Sequence, residues 1–307
     1  MRVLLVVNPA ASSVTASARA AVAAVLRSAE PTEVVETTHR GHATELARDA
    51  VSAGFDVVAV LAGDGTLNEV GGGLVGSTVA LAPLPGGSTN VFARTLGVAY
   101  SPNDAARDLV ASLARGARRR IGVGVATTPR GDDRPFLFHL GVGFDAAVIR
   151  RMEARNPKLK RHLAHPTFAA TAVSTWLRQR DRRVRIRFAA DDVVAVGPYA
   201  VISNSDPYAY VGRRPLRVTR GASLDRELAL TVITTLRAPV LTRAAASAVG
   251  QAKFLETSAE VVQLTDVAKV TVTADAPFPW QVDGDYLGEV DRLDVAYRPD
   301  ALTLVVP

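Results

Sequence analysis

The 307-residue sequence contains no cysteine, which excludes disulfides and thiolate metal sites and fits a reducing compartment. No apolar run approaches the roughly 20 residues needed to cross a bilayer. Met1 enters an apolar strand directly, so no signal peptide is expected. The five histidines are scattered without metal-ligand spacing. No base-bearing pattern surrounds Ser88, which argues against a serine hydrolase. Glycine-rich turns are present, but no Gly-Lys-Ser/Thr follows them and their spacing is not G-x-G-x-x-G.

What is present is ordinary for a folded chain: 48% hydrophobic and 21% charged residues, in a length that suggests two domains. The net charge of +6, carried mainly by arginine, favours anionic partners without choosing among them. The most informative stretch runs from Val57 to Gly97. Val57–Leu61 is an apolar β-branched run, read as a strand of a parallel sheet. It stops at Gly63-Asp64-Gly65-Thr66, where a helix signal begins. Thr66 is a candidate cap, with Glu69 three residues on as in a capping box. The logic then repeats. Val79–Leu84 is apolar, Pro85-Gly86-Gly87 turns, and Ser88, Thr89 or Asn90 can cap a helix over Val91–Leu96 that stops at Gly97. Two such turns on adjacent strands would present free backbone N–H groups at helix starts, an anion site suited to phosphate. A carboxylate beside phosphates would repel them unless a cation intervenes, so Asp64 points to bound Mg²⁺ or to a role in steering water and nucleotide.

GDGTLNEV, followed by PGGSTNVFAR, resembles the signatures of the diacylglycerol kinase catalytic-domain family, which includes bacterial lipid kinases, sphingosine kinases and ceramide kinases. Three positions depart from it: Ala62 replaces a glycine, Ser88 a threonine and Val91 an aspartate. The resemblance implies an α/β nucleotide-binding domain with a parallel sheet, joined to a β-rich sandwich domain. It also implies that Asn8, Pro9, Thr37, Gly63, Asp64, Gly65, Thr66, Asn68, Glu69, Gly87, Ser88 and Asn90 bind ATP. Mg²⁺ would accompany the nucleotide, and Asp64 would orient metal and phosphates.

The rest of the chain is compatible. Met1–Val7 reads as a strand and Thr15–Leu26 as a helix; a strand at Val34–Thr37 and a helix from Gly41 to about Ala53 follow. The α/β domain is expected over 1–120, rejoined by a last strand at about 295–307. Short strand patterns then fill 121–294: Ile121–Thr128, Pro135–Gly143, Val184–Ala190, Val193–Val196, Tyr199–Asn204, Leu228–Thr234, Val261–Leu264, Ala268–Thr273 and Trp280–Val282. A helix at Leu241–Val249 and a helical region over about Ala146–Arg180 interrupt them. The groove between the two domains is the natural active site. Between Arg150 and Arg187 stand twelve Lys or Arg against Glu153 and Asp181, with Phe168, Trp176 and Leu177 as apolar bulk. This segment fits either an anionic membrane surface or a solvated face. No motif accompanies the charge that would point to nucleic acid.

Near the C-terminus, Val282-Asp283-Gly284-Asp285 resembles the family's Asp-Gly-Glu motif, with Asp285 in the place of the base that takes the lipid hydroxyl proton. Asp283 is a substitute, and a plain Asp-Gly hairpin turn is the rival reading. Bacterial relatives carry Asp-Gly where Arg226-Glu227 stand, and that Asp helps hold a structural Mg²⁺. Arginine cannot ligate a cation, so that metal site is expected to be lost and Arg226 to form a salt bridge, with Asp225 as a residual candidate ligand. The combined expectation is an ATP- and Mg²⁺-dependent kinase of a lipid alcohol, diacylglycerol before a sphingoid base or ceramide. It would be cytoplasmic and peripheral at the inner face of the membrane, with a homodimer left open. An NAD kinase and a non-catalytic nucleotide- or lipid-binding protein are the rivals.

Overall fold

The computed structural model describes residues 1–155, 164–179, 185–250 and 253–307. It divides into two compact units, one of Met1–Val123 with Pro299–Pro307 and one of Gly124–Arg298.

The first unit alternates strand and helix: β1 (Val3–Val7), α1 (Ala16–Arg27), β2 (Thr32–Glu36), α2 (His42–Ser52), β3 (Val57–Ala62), α3 (Asp64–Leu74), β4 (Ala80–Pro85), α4 (Val91–Thr95) and α5 (Pro102–Ala114). The strands pair in parallel in the order β4-β3-β1-β2. β1, β3 and β4 are buried along their whole length, as apolar runs without a polar residue should be in a sheet covered on both faces. Leu5 and Leu61 of the strands form one core with Val22 and Leu26 of α1 and Leu109 and Leu113 of α5. Thr15 caps α1 through Ala18 N–H and Ser101 caps α5 through Asp104 N–H, so these starts follow the side-chain chemistry of their caps.

The second unit is strand-rich. It contains the end of β5 (Arg118–Thr127), then β6 (Asp133–Phe136), β7 (His139–Gly143), α6 (Phe144–Arg155), α7 (Ala164–Gln179), β8 (Ile186–Ala190), β9 (Val193–Gly197) and β10 (Tyr199–Ser203). The small hairpin β11 (Ala209–Val211) and β12 (Arg214–Leu216) follows, then β13 (Leu228–Ile233), α8 (Ala238–Val249), α9 (Lys253–Thr257), β14 (Val261–Val267), β15 (Lys269–Val282) and β16 (Asp285–Val305). Antiparallel pairing gives the order β14-β13-β10-β7-β15, with β16 beside β15. The core gathers Phe136, Phe188, Phe278, Trp280, Leu140, Ile202 and Leu230. β16 is 21 residues long, and in the first unit Thr303 and Leu304 pair in parallel with Ala80 and Leu81 of β4.

Two expectations are corrected here. The single strand expected over Pro135–Gly143 is two, parted at Leu137 and Phe138. The N–H groups of both residues donate to the Asp283 carboxylate instead of to a neighbouring strand. Conversely, the runs at Ala268–Thr273 and Trp280–Val282 belong to one strand, β15, which continues through Pro277 and Pro279 with a register shift between Thr273 and Phe278. The helical region over about Ala146–Arg180 is described as α6 and α7, with residues 156–163 between them outside the described residues.

Candidate active site

In the first unit, three loops leave the carboxyl ends of β1, β3 and β4, the edge at which parallel α/β sheets present their ligand-binding groups. Side chains and backbone tie them together. Asn8 donates from Nδ2 to the Thr66 hydroxyl at 2.9 Å, while its Oδ1 accepts from Ala10 N–H at 2.9 Å, which closes the turn through Pro9. Gly86 N–H donates to Ala62 C=O at 2.9 Å, and Gly86 C=O accepts from Ser13 N–H at 2.9 Å. Asn90 closes the third loop on itself: its Oδ1 accepts from Gly87 N–H and its Nδ2 donates to Gly87 C=O, both at 2.8 Å. Thr37 N–H donates to Val7 C=O at 2.9 Å, which extends the β1–β2 pairing to the same edge of the sheet as Asn8.

Gly86 has no room for a side chain. A Cβ there would stand 2.7 Å from Ala62 N, 2.8 Å from Val14 Cγ2 and 2.9 Å from Ala62 Cα. Two of these atoms are main chain and cannot yield without breaking the Gly86–Ala62 hydrogen bond. Gly86→Ala is expected to destabilise the chain by about 1–3 kcal/mol, as overpacking of a close contact does. A urea midpoint unchanged from the parent protein would show that the loops are not held this tightly.

The cap expected of Thr66 is corrected, whereas α4 takes Asn90 from among its three candidates. α3 begins at Asp64 with Gly63 in the cap position and no side-chain cap, so Thr66 lies inside the first turn and no capping box forms. Thr66 serves Asn8 instead, and Glu69 reaches from α3 to accept the N–H of Gly41, the residue before α2, at 3.0 Å. Neither Ser88 nor Thr89 is the cap residue of α4. Asn90 holds that position in the left-handed region (φ 47°) without a side-chain cap bond. The capping group comes from the neighbouring loop. Asp64 accepts from Val91 N–H at 2.9 Å and from Phe92 N–H at 3.2 Å, one bond to each carboxylate oxygen. Burial raises its pKa against the opposing effects of these two amides and the Arg94 charge. At this helix start the anion held by the first amides is therefore a carboxylate of the protein itself. Gly65 and Asn68 lie in the first two turns of α3, and Ser88 lies in the bend before Asn90.

In the second unit, β15 and β16 meet in a two-residue hairpin, with Val282 opposite Asp285. Asp283 and Gly284 both have positive φ, 49° and 88°, as an Asp-Gly turn of the mirror-image type requires. The reading of Asp283 as a substitute base is corrected. Its carboxylate accepts from Leu137, Phe138 and His139 N–H at 2.8, 3.0 and 2.9 Å, and its own N–H donates to His139 C=O at 2.9 Å. These bonds fasten the turn to the start of β7. Asp285 is the first residue of β16 and is partly exposed. Downstream of it, Arg150 forms an ion pair with Glu289 at 2.7 Å and lies over the Tyr286 ring.

A buried polar group behind this hairpin escaped the sequence reading. Asp145 opens α6; its two oxygens accept from the Tyr208 hydroxyl and from Gln281 Nε2, each at 2.8 Å. The His139 ring stacks on Tyr208 at 4.0 Å, and burial holds its imidazole down to about 3, so it is neutral. The available signal was Gly141-Val142-Gly143-Phe144-Asp145, an acid placed just after a buried strand, but strand-to-helix junctions often carry an acid that only caps.

Arg226 forms a salt bridge with Asp266, as expected for it; Nε donates to Oδ1 at 2.7 Å and a terminal nitrogen to Oδ2. Among the described residues no group of three or more His, Cys, Asp or Glu side chains could hold a metal ion, at Asp225 or elsewhere. Of the basic segment from Arg150 to Arg187, Lys158, Lys160, Arg161, Arg180, Arg182 and Arg183 lie outside the described residues. Within α7, Trp176 Nε1 donates to Leu236 C=O at 2.7 Å, whereas Val173 and Leu177 are more than half exposed. No helix among the described residues is long and apolar enough to cross a membrane.

Comparison with known proteins adds a likeness over part of the chain. Residues 2–126, less than half of the sequence, match the family model described as the diacylglycerol kinase catalytic domain. Over 90 residues the chain is 37% identical to the diacylglycerol kinase of Bacillus subtilis, covering 29% of each protein. Over 174 residues it is 32% identical to a "Probable lipid kinase YegS-like" protein of Chromohalobacter salexigens, covering 55% of this chain and 52% of the other. The chain thus spans between about a third and a half of the length of these curated relatives. The fold extends further. A crystal structure of a diacylglycerol kinase from Bacillus anthracis str. Sterne superimposes with a TM-score of 0.71 at 18% identity, covering 100% of this chain and 97% of that one. Another structure from the same organism gives 0.77 at 20% identity, covering 100% and 95%. The parallel α/β domain followed by a strand-rich part is therefore a fold shared with those kinases.

Proposed function

We propose that the chain is an ATP-dependent lipid kinase that phosphorylates a lipid hydroxyl, with diacylglycerol as the leading substrate and phosphatidic acid as the product. The observation that supports this most is the diacylglycerol kinase signature over residues 2–126, falling on three mutually hydrogen-bonded loops at the carboxyl edge of a parallel sheet. In this reading MgATP binds as substrate against Asn8, Pro9, Thr37, Gly63–Thr66, Asn68, Glu69 and Gly87–Asn90. Asp64 acts by joining the second and third loops through Val91 and Phe92. Asp285 takes the proton of the lipid hydroxyl as that oxygen bonds to the γ-phosphorus and the bond to ADP breaks. Phosphoryl transfer depends mainly on position and charge neutralisation, which suits a site built from backbone loops. The basic segment over 150–187 and the exposed Val173 and Leu177 support presentation of the lipid from an anionic membrane surface.

The test is a panel of lipid alcohols offered to the purified protein with radiolabelled ATP in phosphatidylglycerol vesicles. The panel contains diacylglycerol, sphingosine and ceramide, with NAD offered as a separate acceptor. Labelled phosphatidic acid supports the full proposal, and label on another lipid keeps the kinase but changes its substrate. Label on NAD, or no transfer to any acceptor while ATP still binds, overturns it.

A further inference from the structure

The hairpin that begins β16 is held on one side by the Asp283 carboxylate and on the other by a chain of buried polar side chains. Gln281 is fully buried, and its Oε1 accepts from Gly284 N–H at 2.8 Å. Its Nε2 donates to Asp145 Oδ2 at 2.8 Å, and Asp145 Oδ1 accepts from Tyr208 at the same distance. Asp145 is 5% exposed. Its path to Gln281 exists because residue 141 is glycine. A Cβ there would stand 1.8 Å from Asp145 Oδ2 and 2.5 Å from Gln281 Nε2.

The chemistry of this chain has a direction. A primary amide has a donor end and an acceptor end, and rotation by half a turn about its last bond exchanges them. Gly284 turns its N–H toward Gln281, and that donor can be held only by the oxygen of the amide. What keeps that oxygen facing the turn is an acceptor at the opposite end, and the ionised Asp145 is such an acceptor. We propose that Asp145 is a positioning residue for phosphoryl transfer: through Gln281 it fixes the Asp283-Gly284 turn from which Asp285 extends. The inference rests on the reading of Asp285 as the base. Burial pushes Asp145 up to about 6, held there against further rise by its bonds from Tyr208 and Gln281, so at neutral pH it is predominantly the anion that the arrangement needs. The other titratable groups facing it are Tyr199 and Tyr208, both raised well above the usual phenol value by burial with the Asp145 charge adding, and the neutral His139. None of them supplies a competing positive charge.

Gln281→Glu reverses the middle of the chain. The introduced carboxylate would face the Asp145 carboxylate, so two acceptors would meet where a donor now meets an acceptor. Their repulsion displaces the side chain that holds Gly284 N–H. The expected result in the diacylglycerol assay is a kcat about tenfold lower, the equivalent of about 1.4 kcal/mol in the barrier, with KM for ATP unchanged. The double variant Gln281→Glu with Asp145→Asn restores every bond with the polarity exchanged. The introduced asparagine would then donate to one carboxylate oxygen of the introduced glutamate, and the other oxygen would accept from Gly284. Its kcat is expected to recover to within about threefold of the parent, a range of roughly 0.7 kcal/mol. A parent-like kcat in Gln281→Glu overturns the inference, and so does a double variant that folds but stays as slow as the single one. Should Gln281→Glu not fold, Gln281→Leu takes its place, and a parent-like kcat there overturns the inference equally. Failure of the base itself reads differently: Asp285→Asn would then remain active whatever residue 145 does.

Discussion

Asp285→Asn is expected to lower kcat for diacylglycerol phosphorylation by about 10²–10⁴-fold, the usual contribution of a placed general base. KM for ATP should be unchanged, because the nucleotide-binding loops proposed for it belong to the first unit and Asp285 to the second. Asparagine keeps the size and the hydrogen-bonding reach of the side chain, and Asp285 opens a strand at the solvent-accessible end of a hairpin, so the fold should persist. Equal thermal midpoints for the two proteins therefore separate loss of chemistry from loss of structure. Asp285→Glu, which supplies the extra methylene that the family's glutamate has, should retain far more activity than the asparagine variant. Activity within twofold of the parent in Asp285→Asn would remove this carboxylate from the reaction.

The largest stability effect is expected two residues earlier. Asp283→Ala deprives Leu137, Phe138 and His139 of the acceptor for their N–H groups, and all three residues lie in the buried interior. Each buried donor left unpaired costs about 1–3 kcal/mol. Partial relaxation and water entry should leave a total of about 3–5 kcal/mol, large for a single substitution. The positive φ of residue 283 adds to the loss, since aspartate tolerates that region better than alanine. Asp283→Asn, with one oxygen in place of two, should fall between parent and alanine in urea unfolding. An alanine variant within about 1 kcal/mol of the parent, the range of a surface substitution, would show that water satisfies these amides. The two aspartates of this turn thus call for opposite readouts: position 283 should change the urea midpoint and position 285 the rate.

Strands β1, β3 and β4 were legible because each is an apolar run followed within two residues by glycine or proline, and burial along their whole length is the physical counterpart of that pattern. The side-chain partners were less legible. Nothing near Asp64 in sequence shows that it serves amides 27 and 28 residues away, so local spacing offered only Thr66 for the first cap and Ser88, Thr89 or Asn90 for the second. The break between β6 and β7 has the same character, since the group that causes it lies about 145 residues further on. In β15, Pro277 and Pro279 read as a loop, whereas the strand absorbs them through an irregular register with β16. Asp145 was missed because a buried carboxyl is recognisable only once the strands that enclose it are in place.

Asp64 has one more consequence. It grips α4 through the main chain, so all it asks of residue 91 is an amide hydrogen, and any amino acid except proline brings one. Valine, where the related kinases carry an acid, therefore leaves this clasp intact. The departure that looks most disruptive when the signatures are laid side by side is silent in the bond that joins the two loops.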